Sequence, residues 1–294
     1  MNIFLASLEL KIKSTAKIDL QLTASAKYTF PLISTTQTYS CNYKTSKSYE
    51  SLSNFKQAFK GESFDKQTMP YSWMVYQNGN SDIAIKITFF NHPKIDSATA
   101  IINSRQKVID ITITPHKSDD TVTIDPLFHP LGGLLMVHLA HKSGGFIIHA
   151  SGVSCSNKGY LFSAVSGTGK STMASLWEQS GALIINDDRL WIQKIAERWN
   201  MFNTPMIWYS QKPAMATVDK IFLLHQSKNN LITQIKGINA SMQVMSNCMQ
   251  HLYEKEMTKS HLNKVLDFTS QIPVYSCAFK PDKEIVEIIK ELNE

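Results

Sequence analysis

The sequence predicts an α/β (α+β) chain: a β-rich antiparallel part over residues 1–125, followed over residues 126–294 by a mixed sheet with helices packed on it. Three observations carry this expectation. Period-two alternation recurs up to residue 125, helical spacing of apolar residues begins after Pro126, and from there strand-like and helix-like runs alternate. At 294 residues the chain can bury a sizeable core, as one large domain or two small ones.

In the first part, Leu8-Glu9-Leu10-Lys11-Ile12-Lys13, Ile83-Ala84-Ile85-Lys86-Ile87-Thr88 and Val108-Ile109-Asp110-Ile111-Thr112-Ile113 each alternate as half-buried strands do. Gln77-Asn78-Gly79-Asn80 fits a tight turn between strands. Residues 32–70 are the least defined stretch, because Ser, Thr and Lys dominate there. No internal repeat is present. In the second part, residues 127–141 carry apolar side chains at helical spacing, and Gly144-Gly145 ends that helix. Phe146-Ile147-Ile148-His149-Ala150 reads as a buried strand ending at His149 and Ala150. Residues 152–156, a turn at Asn157-Lys158-Gly159 and a strand through Tyr160-Leu161-Phe162 follow, then a helix from Met173. Ala182-Leu183-Ile184-Ile185-Asn186 is expected to be a strand beside that one, with Asp187-Asp188 at its carboxyl end. Strands at 220–225, 233–236 and 274–279, helices between 240 and 269, and a last helix over 282–292 complete the pattern.

Composition excludes several classes. No apolar run approaches the roughly 18 residues of a membrane helix, and the N-terminus alternates and gains charge too early for a secretory signal. A cytoplasmic protein with no membrane partner is expected. The net charge is +6, and residues 1–60 hold eight lysines against Glu9, Asp19 and Glu50. Those lysines are read as guards of solvent faces and sheet edges, the alternative being a surface for an acidic partner. Arg105, Arg189 and Arg198 are the only arginines and no aromatic–basic interleaving occurs, so no nucleic-acid partner is expected. Cys41, Cys155, Cys248 and Cys277 form no Cys-x-x-Cys pair and are read as reduced, mostly buried thiols.

The chemistry concentrates at residues 164–172, Ala-Val-Ser-Gly-Thr-Gly-Lys-Ser-Thr, between a strand and a helix. Gly167 and Gly169 let the backbone curl so that the N–H groups of Ser166, Gly167, Thr168 and Gly169 point at phosphate oxygens, and the helix dipole adds to the attraction. Lys170 can reach the β and γ phosphates, Ser171 offers a hydroxyl to Mg2+, and Thr172 adds another at the helix start. Ala164 stands where such loops have their first glycine. Phosphoryl transfer also needs carboxylates, and Asp187 and Asp188, 17 and 18 positions after Lys170, supply them. Adjacent residues point to opposite sides, so one can face a metal and the other an acceptor hydroxyl. The plainer alternative is a solvated acidic turn. His149, alone, would be an ordinary core or turn histidine; beside an aspartate it can orient that carboxylate or support charge transfer.

The run His149-Ala150-Ser151-Gly152-Val153, the loop Ser166-Gly167-Thr168-Gly169-Lys170-Ser171-Thr172 and the pair Asp187-Asp188 together resemble the HPr kinase/phosphorylase family, in particular its compact HPr kinase-like relatives. The resemblance spans about residues 126–292, including Asp125-Pro126-Leu127, Asn203-Thr204-Pro205 and Phe279-Lys280-Pro281-Asp282. It implies a phosphoenolpyruvate carboxykinase-like P-loop kinase domain, ATP and Mg2+ as cofactors, and serine phosphorylation. By position, it implies Asp187 as the base, His149 supporting it, Asp188 and Ser171 on the metal, and Lys170 with the loop amides on the phosphates; either aspartate can contact Mg2+. Thr172 departs from the acidic residue of the regulatory kinases, which touches their second metal contact. Their Gly- and Arg-containing segment for the reverse reaction has no counterpart in residues 201–212, so a dephosphorylating activity is not expected.

The expected function is an ATP- and Mg2+-dependent kinase acting on a serine of a peptide or small protein, including a modified-peptide precursor, with the β-rich part in substrate recognition and a homo-oligomer left open. Two alternatives stand beside it: a nucleotide-binding sensor or assembly module without transfer, and carboxykinase chemistry, which scarce arginine disfavours. Arg189 is read as pairing with Asp188 or clamping a phosphate, and Trp177, Trp191, Trp199 and Trp208 as core. Met242, Met245 and Met249, with Cys248 and Leu252, are expected to face the core at helical spacing. His138 and His141, three apart on one helix, lack a carboxylate to complete a metal set.

Overall fold

The computed structural model describes residues 1–292 apart from 24, 49, 63–69, 80–81, 118–119, 206–211 and 251–253. Among these residues the chain forms twenty strands and five helices and divides into two compact units, Met1–His138 with Pro205–Lys212, and Leu139–Thr204 with Pro213–Glu294. The parting in chain order lies inside helix α1 (Leu131–Lys142) rather than at Pro126, where the texture of the sequence changes.

The first unit holds β1 (Asn2–Leu5), β2 (Leu8–Ser14), β3 (Ile18–Leu20), β4 (Gln37–Thr45), β5 (Lys56–Glu62), β6 (Tyr71–Gln77), β7 (Ile83–Phe89), β8 (Ile95–Asn103), β9 (Val108–Pro115) and β10 (Val122–Ile124). Eight of them form one sheet in the order β1-β2-β4-β9-β8-β7-β6-β5. The antiparallel expectation needs correction: β4 runs parallel to both β2 and β9, and β10 runs parallel to β3. Alternation fixes which face a residue takes but not the direction of its neighbour, and long connections such as residues 15–36 permit a parallel return. Within the stretch that looked least defined, β4 alternates cleanly, with Tyr39, Cys41 and Tyr43 buried and Ser, Asn and Lys turned outward. Its polar residues are one face of a strand. Asn80 of the expected turn after β6 lies outside the described residues, while β6 and β7 pair antiparallel around it.

Asp125 ties this unit together. Its carboxylate accepts hydrogen bonds from the backbone N–H of Thr23 at 2.6 Å, Ser25 at 3.1 Å and Leu127 at 2.7 Å, and from the Ser25 hydroxyl at 2.9 Å. A carboxylate so provided for serves the fold, which accounts for Asp125-Pro126-Leu127 without a ligand.

The second unit holds β11 (Phe146–Cys155), β12 (Lys158–Ser163), α2 (Lys170–Gln179), β13 (Leu183–Asn186), β14 (Arg189–Ile195), β15 (Arg198–Asn203), β16 (Met215–Thr217), β17 (Lys220–Gln226), β18 (Leu231–Ile235), α3 (Ile238–Met245), β19 (Cys248–Met249), α4 (Lys255–Gln271), β20 (Val274–Phe279) and α5 (Glu284–Glu291). Its mixed sheet follows the path β16-β15-β14-β11-β12-β17-β20-β18, with β13 and β19 also pairing with β11. Residues of β12 alternate between two cores. Leu161 joins Phe146, Val244 and Phe268 on one side, while Tyr160 and Phe162 join Trp177 and Ile285 on the other. Helices α3 and α4 therefore cover one face and α2 and α5 the other, a layered arrangement that hides a strand without one-sided polarity.

Two expectations about strands change. His149 lies within β11 and not at its end, because the strand continues through Ser151 and Gly152 to Cys155. Gly152 permits this: a Cβ there would sit 2.7 Å from Met201 Sδ and 2.9 Å from Leu190 Cδ1, beside the register shift between β11 and β13. The neighbours of β12 are β11 and β17, so β13 is one strand further away than expected.

Trp177, Trp191 and Trp199 are buried as expected, and Trp208 lies outside the described residues. Met242 contradicts the core reading at 54% exposure. Helix α3 ends at Met245 and Met249 belongs to a strand, so the spacing from 242 to 249 marks no single face; Leu252 lies outside the described residues. Cys41, Cys248 and Cys277 are buried free thiols and Cys155 is half-buried. Among the described residues no helix is long and apolar enough to cross a membrane.

Candidate functional site

Strand β12 delivers the chain into the loop at Ala164, and α2 begins at Lys170 with Gly169 as its N-cap. Gly167 and Gly169 have φ of +81° and +109°, a region open to glycine and strained for other residues. No side chain caps α2, so its first N–H groups remain available to an external acceptor. Ser166, Gly167, Ser171 and Thr172 are exposed and Thr168 and Gly169 half-buried, as an accessible cradle requires.

Lys170 is only 6% exposed. Its ammonium donates to the carbonyl oxygens of Ala164 at 3.0 Å and Val165 at 3.2 Å, folding back on its own loop. Burial lowers the Lys170 pKa, opposed by the charge of Asp188. A phosphate offers this ammonium a better partner than two neutral carbonyls do.

The register of β11 brings the acidic pair near this loop. His149 pairs across with Arg189, the first residue of β14, and Ala150 pairs with Ser163, the last residue before the loop. Asp187 and Asp188 occupy the break between β13 and β14. Asn186 shapes that corner by accepting the N–H groups of Asp187 at 2.8 Å and Asp188 at 3.3 Å on its Oδ1. The Ser151 hydroxyl holds the Asp187 carbonyl at 3.2 Å, and the N–H of Ala150 holds that of Asp188 at 3.1 Å.

His149 lies against Asp188 and not Asp187, with Nε2 at 3.3 Å from Asp188 Oδ1. Arg189 Nε stands 3.2 Å from the other oxygen, Oδ2. Burial pushes the Asp188 carboxyl up, but the hydrogen bond from His149 and the charges of Arg189, His149 and Lys170 outweigh it, leaving the pKa below its ordinary value. Asp187 differs: its Oδ1 is buried and, among the described residues, has no hydrogen-bond partner. A buried carboxylate oxygen without a partner costs roughly 1–3 kcal/mol or more, so it fits a position completed by something the chain itself does not supply. Ser171 and Asp188 carry hard oxygen donors of the kind that suit Mg2+. Among the described residues no group of three His, Cys, Asp or Glu is placed to hold a metal ion.

Two contacts to the loop went unread in the sequence. Gln226 Nε2 donates to the Gly167 carbonyl at 3.2 Å, and the Phe279 ring would lie 2.9 Å from a Cβ at Gly169. Both residues sit at the ends of strands on the β17 side of β12. Since β17 runs parallel to β12 and β20 to β17, their carboxyl ends must lie beside the loop; the missing information was the strand order.

No family model matches the chain, and no curated protein matches it. Among solved structures, the Hpr(Ser) kinase/phosphatase from Coxiella burnetii shows a weak resemblance, with a TM-score of 0.29 and 11% identity over 49% of this chain and 91% of that one.

Proposed function

We propose that the chain is an ATP- and Mg2+-dependent kinase that transfers the γ-phosphoryl group to a serine hydroxyl of a peptide or small protein. The observation that carries this reading is the pairing of an uncapped, glycine-shaped loop with two aspartates in contrasting states. Asp188 is held ionised by His149 and Arg189, while Asp187 keeps an oxygen without a partner. A nucleotide cradle needs the first feature; the second is superfluous unless a proton or a metal is handled there.

In this reading the loop amides and Lys170 bind the phosphates, with Lys170 leaving the Ala164 and Val165 carbonyls for them. Ser171 and Asp188 would hold Mg2+, which would supply neutralisation of the phosphate charge. His149 and Arg189 orient Asp188. Asp187 takes the serine proton as the serine oxygen bonds to the γ phosphorus and the bond from that phosphorus to the bridging oxygen of ADP breaks. The products are a phosphoserine and ADP. The first unit is assigned to acceptor recognition, with a modified-peptide precursor as one such acceptor.

Mass spectrometry of serine-containing peptides after incubation with ATP and Mg2+ tests the proposal: one added phosphoryl group on serine supports it, and ADP without phosphopeptide across a broad peptide library opposes it. A nucleotide sensor is the second reading, favoured by the hydrogen bonds that Lys170 makes to its own loop. A sensor would bind ATP and release it unchanged.

A further inference from the structure

The second unit has a cavity of about 450 Å3, within the range of small-molecule sites, between α4 and the strands β14 and β15. One face of α4, through Glu256, Ser260, Asn263 and Asp267, lines it at helical spacing, together with Lys194, Trp199, Lys259 and Lys264. Lys194 reaches it from β14, but its charge is spent on Asp267 and Glu197, each at 3.3 Å. Asp267 also accepts from Gln271 at 2.7 Å. That leaves Lys259 and Lys264 against Glu256, a small cationic excess over the buried Trp199.

Lys264 differs from the other two lysines. Its Nζ donates to the His141 carbonyl at 2.7 Å and lies 3.3 Å from His141 Nδ1, and among the described residues no carboxylate pairs with it. Facing it are His141 and Lys142 from α1 and His261 from its own helix, while Asp267, three residues on and lining the same cavity, is engaged by Lys194 and Gln271. Burial, with the charge of Lys264 behind it, pushes His141 and His261 down to about 4, so neither imidazole is charged near neutral pH. Burial first, and then the Lys142 charge, push Lys264 down to about 8. At pH 7.5 about a quarter of such amines are neutral, roughly 200-fold more than for an ordinary lysine. Desolvated lysines of this kind are the ones that form imines.

We infer that Lys264 is a covalent capture site for a small anionic carbonyl compound, which enters the cavity and condenses with the ε-amine. The neutral amine nitrogen attacks the carbonyl carbon, a C–N bond forms, and the carbonyl oxygen leaves as water with both amine protons, giving an imine with no change of oxidation state. Lys259 attracts the anionic group and Ser260 and Asn263 offer it hydrogen bonds. This site is separate from the loop around Lys170 and does not depend on the kinase reading.

Pyridoxal phosphate serves as the probe. The full-length protein is treated at pH 7.5, the imine is trapped with cyanoborohydride, and labelled peptides are quantified by mass spectrometry with and without Mg2+·ATP. Lower basicity offsets part of the gain in neutral amine, so Lys264 is expected to label roughly tenfold faster than exposed Lys259 on the same helix. Pyridoxine phosphate, which lacks the aldehyde, is expected to slow Lys264 selectively, whereas Mg2+·ATP protects Lys170 only. Lys264→Arg should lose this label and keep that of Lys259. Labelling of Lys264 no faster than Lys259, or unaffected by pyridoxine phosphate, overturns the site. Both readings use the unmodified protein, so a Lys264→Arg variant that misfolds does not blunt the test.

Discussion

Asp187 and Asp188 are chain neighbours with opposite circumstances. Asp188 has a partner on each oxygen, and its depressed pKa has a consequence for stability. A carboxyl whose folded pKa lies below its unfolded value stabilises the fold above about pH 4, and that contribution is lost as pH falls through the folded value. Asp188→Asn should therefore flatten the acid limb of a stability–pH curve measured by urea denaturation; an unchanged limb would mean that the ion pairs contribute nothing. Asp187→Asn should leave Mg2+·ATP affinity within a few-fold while lowering phosphoryl transfer by roughly 10² or more. Turnover at the parental rate would remove Asp187 from the role of base. Lys170→Ala is expected to weaken nucleotide binding itself, read by calorimetry, because the ammonium loses only two carbonyls and the phosphates lose their cation. At this scale the sequence was readable for the loop, whose glycines need φ of +81° and +109°. It was not readable for His149, since pairing with Asp188 instead of Asp187 depends on how β11 meets β14, a register that residue spacing does not encode.

Among elements, the strand–loop–helix of β12 and α2 is the most constrained. Gly169 combines a left-handed backbone with the Phe279 ring 2.9 Å from where a Cβ would stand. Gly169→Ala should cost nucleotide affinity by at least tenfold, because backbone strain of roughly 1–3 kcal/mol falls on the residue that opens the helix. Equal affinity in calorimetry would show that the loop tolerates a shift there. Periodicity located most helices and strands of the second unit because both faces of its sheet are covered and the apolar runs are long. It misplaced the end of β11, where Ser151 and Gly152 suggest a break, and it undervalued β4, whose outward Ser, Asn and Lys residues mask its buried Tyr39, Cys41 and Tyr43. Met242 shows the converse error, since spacing was counted across the end of α3.

At the scale of the whole molecule, two compact units, each with its own buried apolar residues, invite separate responses to ligand. Mg2+·ATP at 100 times its dissociation constant should stabilise whatever binds it by about 2.7 kcal/mol. Thermal unfolding followed by hydrogen exchange should show that gain in α2, β11 and β12 and not in the β1–β9 sheet; equal protection of both would make the units one cooperative body. The change from period-two to helical patterning falls at Pro126, whereas the compact units part inside α1; sheet order, with its parallel strands inside a meander-like sequence, was not visible, because long connections leave strand direction open.

The central claim is that the loop and the aspartate pair together transfer a phosphoryl group. The direct measurement is single-turnover incubation of the protein with ATP labelled in its γ-phosphate, Mg2+ and a library of serine peptides, in parallel with Asp187→Asn. Label moving to a serine with the parent protein and falling by roughly 10² in the variant is the expected result. ATP bound tightly by both proteins, with label never leaving the nucleotide, would contradict the kinase and leave a nucleotide sensor.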